Sequence, residues 1–272
     1  MRYAILGTGS SGNSYLIQTQ HGLFMVDAGL SFLQLKERAE HLGADLAAIK
    51  AIFITHEHSD HICGLRILMK RLQVPVFLSP GTRRYLEGGS TRFHLPEYTE
   101  SRSLLAALAQ PISHGGRAQV ADLNVKAMEI PHDGAEPIAY RFSSGGQDLI
   151  IVSDIGHISE SIRLWLNTAD HLLVEANHCT TLLADHPHYA IHFNRRIASA
   201  NGHLSNGALS NWLETDFSDR ARHITLIHLS ENTNTPSTAL SAIQASLHKV
   251  GSRAALAIGA PHHPSAWVDM QA

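Results

Sequence analysis

The stretch AIFITHEHSDH at residues 51–61 runs from an apolar strand directly into a dense group of metal-binding side chains. His56 and His58 alternate, so on an extended segment both imidazoles point to the same side. Asp60 and His61 follow at the reversal into an amphipathic helix, from which they can face the same cavity. Two imidazoles and a third ligand make one metal position, and a carboxylate with an imidazole begins a second. A polar turn with incidental histidines is the alternative, and the flanking apolar strand and helix argue against it.

Length and composition indicate a globular chain that needs no disulfide bonds for stability. The 272 residues are 44% hydrophobic and 17% charged, which excludes a disordered chain and a coiled coil. A chain of this length fits one large domain or two modest ones. The two cysteines, Cys63 and Cys179, cannot form a disulfide framework and fit a reducing compartment.

The same composition disfavours several locations and partners. No run of about 18 apolar residues is present, so we expect no membrane-spanning segment. The N-terminus enters a strand without a charged-then-apolar leader, which predicts a cytoplasmic protein. The formal charge of −3 shows no overall excess of positive charge of the kind that favours nucleic-acid binding. The count of 20 histidines stands apart, because histidine is the commonest metal ligand.

The order of the predicted elements indicates two sheets with helices outside them. Short apolar runs predict strands, and apolar residues at helical spacing predict the helices between them. Because strands followed by helices occur twice, we expect an α/β chain with two sheets stacked face to face. The segment 88–119 mixes apolar and polar residues and allows no assignment. The predicted strands are 3–6, 15–18, 23–26, 51–54, 74–78, 123–130, 138–142, 148–152, 172–175, 224–228 and 254–258, and the predicted helices are 33–42, 62–72, 80–86, 159–166, 188–199, 206–214 and 236–248.

The HxHxDH pattern at a strand end resembles the metallo-β-lactamase superfamily, and the resemblance covers nearly the whole chain. It implies a single domain over residues 1–272 with the four-layer αββα sandwich, an α/β fold that some schemes class as α+β. Asp27, in the segment VDAG at 26–29, resembles the aspartate that superfamily members carry before the histidine motif. We expect Asp27 to hold the ligand loop by hydrogen bonds. An ordinary acid at a strand-end turn is the alternative.

Three later strand ends carry residues that match the remaining ligands of the superfamily. His132 matches the third-motif histidine, Asp154 resembles the aspartate that bridges two metals, and His228 resembles the last histidine ligand. Each of the three could instead have a structural role. Nitrogen and oxygen ligands without thiolate suit two divalent ions of zinc or manganese, with iron also possible. The implied set is His56, His58 and His132 for one metal, Asp60, His61 and His228 for the other, and Asp154 between them.

Four segments narrow the resemblance to one branch of the superfamily. All four resemble the YycJ/WalJ-like branch of bacterial cytoplasmic exonuclease-type phosphodiesterases. That branch is similar to ribonuclease Z and to the phosphonate-pathway cyclic phosphodiesterase. The chain departs from the branch at Cys179, at 186–189 and at Thr233, which bears on the substrate entrance and leaves the metal site intact. The four segments are LGTGSSGNS at 6–14, VEANH at 174–178, GHLSN at 202–206 and HLSENTN at 228–234.

The similarity to ribonuclease Z implies a catalytic pair. In this pair Glu175 orients His203, and His203 gives a proton to the leaving oxygen because an alkoxide is a poor leaving group. A surface histidine at a helix N-terminus is the alternative for His203. Asp60 is also predicted to be catalytic, because its loss should cripple the second metal position.

Four residues are predicted to meet the substrate. The glycine loop with Ser10 and Asn13 can present backbone N–H groups to an anion, or it can be a tight hairpin. His178 either contacts a substrate phosphate or braces its loop. Arg196 is a candidate phosphate clamp beside Arg195, and on a helix one of the two faces solvent. A rival metal site, less favoured than a polar loop and helix face, has three histidines: His186, His188 and His192.

Together these patterns predict a binuclear metal-dependent phosphodiesterase in which a metal-bridging hydroxide attacks phosphorus in line. The resemblance implies nucleic acid as the substrate, with DNA degraded from a 5′ end. Two rival hypotheses stay open. One is acyl hydrolysis of a lactone, thioester or β-lactam at the same site, and the other is a non-catalytic metal-binding regulatory module. The oligomeric state is open.

Overall fold

The computed structural model describes residues 1–89, 97–186 and 191–271, and the described chain is α/β as the sequence predicts. Its strands are short and mostly buried, because β-branched and other apolar side chains face neighbours on both sides of a sheet. The strands are β1 (Arg2–Gly7), β2 (Ser14–Gln18), β3 (Leu23–Val26), β4 (Ile49–Phe53), β5 (Val76–Leu78), β6 (Ala109–Pro111), β7 (Arg117–Val120), β8 (Leu123–Glu129), β9 (Ile138–Ser144), β10 (Gln147–Val152), β11 (His171–Glu175), β12 (His223–Ile227), β13 (Ala255–Ile258) and β14 (Val268–Asp269).

Helices connect many of these strands, and serine or threonine side chains cap several of their N-termini. Among the described helices, none combines the length and the hydropathy that a membrane crossing requires. The helices are α1 (Phe32–His41), α2 (Ser59–Ile62), α3 (Leu65–Leu72), α4 (Pro80–Arg84), α5 (Glu97–Leu108), α6 (Glu160–Leu166), α7 (Thr180–Ala184), α8 (Ile191–Ile197), α9 (Asn206–Thr215) and α10 (Pro236–Lys249), with a 3₁₀ turn at Leu46–Ala48 and a wider turn at Tyr85–Gly89.

Each of the two sheets has seven strands. The first has the order β14-β1-β2-β3-β4-β5-β6, and its strands from β3 to β6 run parallel. The second has the order β13-β12-β11-β10-β9-β8-β7, and its strands from β10 to β13 run parallel. Carboxyl ends of neighbouring parallel strands lie at the same edge of a sheet, so residues just past these strands come together there.

The chain forms two compact units. The first comprises residues 1–129, 134–140 and 260–272, and the second comprises 130–133 and 141–259. Within the first unit, one apolar cluster buries residues from β2, β3 and β4 together with Leu35 of α1 and Leu68 of α3. Within the second unit, β11 is buried along its whole length. The assignment of residues 1–272 to a single domain stays a prediction.

The structure divides the predicted helix 62–72 into two pieces. The single turn α2 contains motif residues, and α3 begins only at Leu65. Gly64 lies between them, and a Cβ at Gly64 would overlap the carbonyl oxygen of Leu30. The backbone is therefore pressed against another segment at this point. Apolar periodicity reports the buried face of a helix and misses such an interruption.

Other differences concern short or ambiguous segments. Within the unassigned stretch, residues 97–119 contain α5, β6 and the first three residues of β7, while 90–96 lie outside the described residues. The predicted helix 188–199 is described as α8 over Ile191–Ile197, and its predicted start lies outside the described residues. The sequence missed α7 and β14, because five and two residues are too few to show a period.

Two histidines stack at the amino ends of neighbouring parallel strands in the second unit. His171 of β11 pairs in register with His223 of β12, and their ring centroids are 5.3 Å apart at an interplanar angle of 19°. Burial lowers the pKa of His223 below its ordinary value of 6.5. The folded protein therefore favours the neutral form of this ring.

This burial predicts a loss of stability in mild acid. Above about pH 6.5 the His223 ring is neutral in both the folded and unfolded chain, and below it the unfolded chain gains the proton first. The free energy of unfolding should therefore fall as the pH falls from 7.5 to about 5.5. His223→Gln should make this fall smaller than it is in the unchanged protein. Urea titrations at several pH values measure the fall for both proteins, and equal falls would contradict the prediction.

Candidate metal centre

Three of the predicted site residues adopt a left-handed backbone one or two residues after a strand. Asp27 follows β3 with φ 55°, Asp154 follows β10 by two residues with φ 55°, and His228 follows β12 with φ 54°. Residues other than glycine are strained there by about 1–2 kcal/mol, and such strain concentrates at functional sites. The turns hold these side chains where the strands end.

Asp27 anchors the histidine motif within the first unit. Its Oδ1 accepts the Thr55 backbone N–H at 2.8 Å, and its Oδ2 accepts Nδ1–H of His61 at 2.8 Å. Burial raises the pKa of Asp27, and the opposing hydrogen bonds from His61 and Thr55 only reduce that rise. Because Nδ1 of His61 donates to Asp27, Nε2 of His61 keeps the lone pair that a metal requires. Asp27 thus makes hydrogen bonds to the histidine motif, and its role behind metal ligands stays a prediction.

The motif side chains lie close together. The ring centroids of His56 and His61 are 4.1 Å apart, and those of His56 and His58 are 4.6 Å apart. Oδ2 of Asp60 lies 3.5 Å from Nε2 of His61. Four of the predicted ligands therefore converge inside one unit.

The glycine loop is tied into this cluster. The fully buried Asn13 donates from its backbone N–H to the Asp60 carbonyl at 2.7 Å, and its Nδ2 lies 3.0 Å from Nε2 of His61. The Oδ1 of Asn13 accepts the Gly9 N–H at 2.9 Å. Asn13 thus holds the motif in place, and its contact with substrate stays a prediction.

Most of the backbone N–H groups of this loop bond within the protein, as the tight-hairpin alternative predicts. Thr8 donates to Ala260, and Gly12 donates to Gly9, while the N–H groups of residues 9 and 13 are used as described above. Ser10 is exposed on the loop, and its predicted contact with substrate remains untested.

Glu57 is a buried carboxylate in the motif that the sequence analysis did not assign. Its Oε1 accepts the Ala135 N–H at 2.6 Å, and its Oε2 accepts the Thr82 hydroxyl at 3.1 Å. It therefore ties the ligand segment to α4 and to the loop after His132. On an extended segment Glu57 points away from its two neighbouring histidines, and that alternation was the available signal.

In the second unit, the carboxylate of Glu175 is the centre of a hydrogen-bonded group. Its Oε1 accepts Nδ1–H from both His203 and His228 at 2.8 Å. Its Oε2 accepts the backbone N–H groups of Ile155 at 2.8 Å and Leu204 at 3.0 Å. Burial alone would raise the pKa of Glu175, but the two imidazoles outweigh it and lower the pKa to about 2. The predicted contact with His203 is present, and the contact with His228 was missed.

Asp154 and two histidines lie beside this carboxylate. Oδ1 of Asp154 is 3.5 Å from Nε2 of His228 and 3.8 Å from Nε2 of His132. His132 donates Nδ1–H to the Gly202 carbonyl at 3.1 Å. Ligand atoms of Asp154, Glu175, His203 and His228 all lie within 4.8 Å of one another. These nitrogen and oxygen donors fit a divalent ion.

The remaining predicted residues occupy different surroundings. His178 is buried, burial lowers its pKa, and its carbonyl accepts the Asn206 N–H, so it lies inside its loop. Arg196 forms an ion pair with Asp133. In the rival histidine group, His188 lies outside the described residues. Among the described residues, neither His186 nor His192 belongs to a group of side chains that could hold a metal ion.

Comparison with known proteins identifies the class. A family model described as Beta-lactamase superfamily domain matches residues 23–229. The chain belongs to this family and is a metal-dependent hydrolase. Metallo-beta-lactamase fold protein YhfI from Bacillus subtilis is similar with a TM-score of 0.69 at 14% identity, covering 97% of this chain and 98% of that chain. The αββα sandwich predicted from the motif is thereby confirmed.

Two curated relatives narrow the similarity. Exodeoxyribonuclease WalJ of Streptococcus pneumoniae serotype 2 (strain D39 / NCTC 7466) is 30% identical over 233 residues, covering 86% of this chain and 83% of the relative. Exodeoxyribonuclease YycJ of Bacillus anthracis is 27% identical over 251 residues, covering 92% of this chain and 90% of the relative. The resemblance drawn from the sequence segments is confirmed.

The close packing beneath the motif predicts a sharp effect of one methyl group. A Cβ at Gly29 would overlap the Asp60 carbonyl and lie 2.6 Å from the Asn13 nitrogen. Gly29→Ala should therefore displace the motif and lower both the melting temperature and the bound metal content. Gly115→Ala is a matched control for added side-chain volume, because nothing lies within 4 Å of that site, although its positive φ adds strain of its own. Metal analysis and thermal unfolding measure the two effects, and unchanged metal content in Gly29→Ala would contradict this packing argument.

Proposed function

We propose that this protein is a binuclear metal-dependent phosphodiesterase that acts on nucleic acid, with DNA degraded from a 5′ end. The observation that carries the proposal is the 2.8 Å hydrogen bond between Glu175 and His203, next to candidate metal ligands. Two relatives named exodeoxyribonucleases support a DNA substrate. The cysteines are both free, which supports the reducing cytoplasm as the location.

We assign seven ligands to two divalent ions, zinc or manganese. Three of the histidines support the assignment through their tautomers, because Nδ1 of His61, His132 and His228 each donates to an oxygen and leaves Nε2 with its lone pair. When bound, the ions would neutralise charge on the phosphoryl oxygens and lower the pKa of a water to about 7. The ligands are His56, His58 and His132 for one ion, Asp60, His61 and His228 for the other, and Asp154 for both.

His203 is assigned as the general acid, and Glu175 as the residue that orients it. Nδ1 of His203 is bonded to Glu175, so Nε2 is the nitrogen left to protonate the leaving oxygen. Burial lowers the pKa of His203, but the carboxylates of Glu175 and Asp154 reverse that effect, and the pKa is raised overall. The charged, proton-carrying form is thus favoured. Acyl hydrolysis would not need this pair, because a tetrahedral intermediate can collapse with help from the metals alone.

Substitution of Asp60 should impair metal binding while leaving the protein folded. Asp60→Ala should remove phosphodiesterase activity and about one equivalent of bound metal, because the second ion loses its carboxylate. The large apolar core should keep the circular dichroism spectrum near that of the unchanged protein. Activity on bis-para-nitrophenyl phosphate and metal analysis are the measurements. Near-normal turnover at saturating metal would contradict the binuclear assignment.

The experiment that tests the proposed function compares two leaving groups. His203→Ala should lower turnover of DNA by about 10²-fold or more, the usual contribution of a general acid. Turnover of bis-para-nitrophenyl phosphate should fall much less, because nitrophenolate leaves without a proton. Glu175→Gln should show the same pattern more weakly. Equal losses on both substrates, or hydrolysis of a lactone or β-lactam in place of DNA, would overturn the proposal.

A further inference from the structure

A carboxylate lies between a candidate metal ligand and an arginine in the second unit. Asp133 directly follows His132, and its Oδ1 is 3.3 Å from Nε2 of His132. Its Oδ2 accepts from Nε of Arg196 at 2.8 Å and lies 2.7 Å from Nη2 of the same guanidinium. The side chains are 35% and 62% exposed, so molecules from solvent can reach this pair.

The pair lies beside the residue assigned as the general acid. Arg196 is in the last turn of α8, and the chain continues through Gly202, whose carbonyl accepts Nδ1–H of His132. The next residue, His203, donates its backbone N–H to the Ile197 carbonyl at 2.8 Å. The segment 196–203 therefore lies against His132 while carrying both Arg196 and His203.

The chemistry of the pair matches a phosphate. In this pair, two nitrogens of one guanidinium lie against a single carboxylate oxygen. A phosphate oxygen can take the place of that carboxylate oxygen equally well. An exposed ion pair contributes little to stability, so exchange of one anion for another on Arg196 costs little. Arg195, the preceding residue, is also exposed and has no ion pair with any described residue.

We propose that Asp133 occupies the position on Arg196 that a phosphate group of the substrate takes, so that substrate binding must displace Asp133. The proposal rests on the proposed phosphodiester substrate. Asp133 then acts as an internal competitor, and it favours ligands whose phosphate can reach the arginine over anions that cannot. The phosphate can be the terminal monoester of a 5′ end or an internal diester of the chain.

The test is a binding assay with the full-length protein as purified. The probe is a fluorescently labelled single-stranded DNA with phosphorothioate linkages that slow hydrolysis, prepared with a 5′-phosphate or a 5′-hydroxyl. Asp133→Asn should bind the probe about two- to fivefold more tightly, because Arg196 loses its internal partner. Arg196→Ala should weaken binding by a similar factor. The double variant should bind like Arg196→Ala, because the gain requires the arginine.

Two matched controls remove the general effect of charge. Asp185→Asn deletes an exposed carboxylate after α7, and Arg195→Ala deletes the neighbouring cation; neither should reproduce the change in affinity. A gain confined to the 5′-phosphate probe assigns the terminal phosphate, and a gain on both probes assigns an internal diester. No gain in Asp133→Asn, a gain that persists in the double variant, or no binding by the unchanged protein would overturn the inference. The assay needs no turnover, so a protein that binds as expected but hydrolyses no phosphodiester would refute only the proposed function.

Discussion

A buried, ionised carboxylate at the end of β11 holds the second unit's site together. Taking a carboxylate out of water costs several kcal/mol unless hydrogen bonds compensate for it. Glu175 accepts four such bonds, from Ile155, His203, Leu204 and His228. These donors belong to three separate segments of the chain. Removing the negative charge would therefore release three segments at once.

The first unit uses the same principle with a smaller group. Asp27 is also fully buried and also fixes the tautomer of an adjacent histidine, His61. In both units a carboxylate behind the imidazole leaves Nε2 with its lone pair, which is the usual arrangement behind metal-binding histidines. The left-handed backbone at Asp27, Asp154 and His228 is strained, and the surrounding hydrogen bonds and packing offset that strain.

A fold shared by many hydrolases does not name a substrate, so the argument for phosphodiester chemistry depends on individual side chains. The proposed metal ligands suit several reactions. The Glu175–His203 pair is more discriminating, because a proton donor matters most when the leaving group is an alkoxide. Arg196 adds a cation on the segment that leads to His203, and Asp133 forms an ion pair with it.

Sequence by itself determined most of the strand-to-helix pattern and the class of fold, because these depend on local periodicity and on motifs that are contiguous in the chain. His56, His58, Asp60 and His61 could be predicted as a cluster for that reason. Only the tertiary structure decided the partners of Glu57 and Asp133. Glu57 bonds to Ala135, 78 residues away, and Asp133 bonds to Arg196, 63 residues away. Such contacts depend on how strand ends and loops pack in space, and a local pattern of residues does not predict that packing.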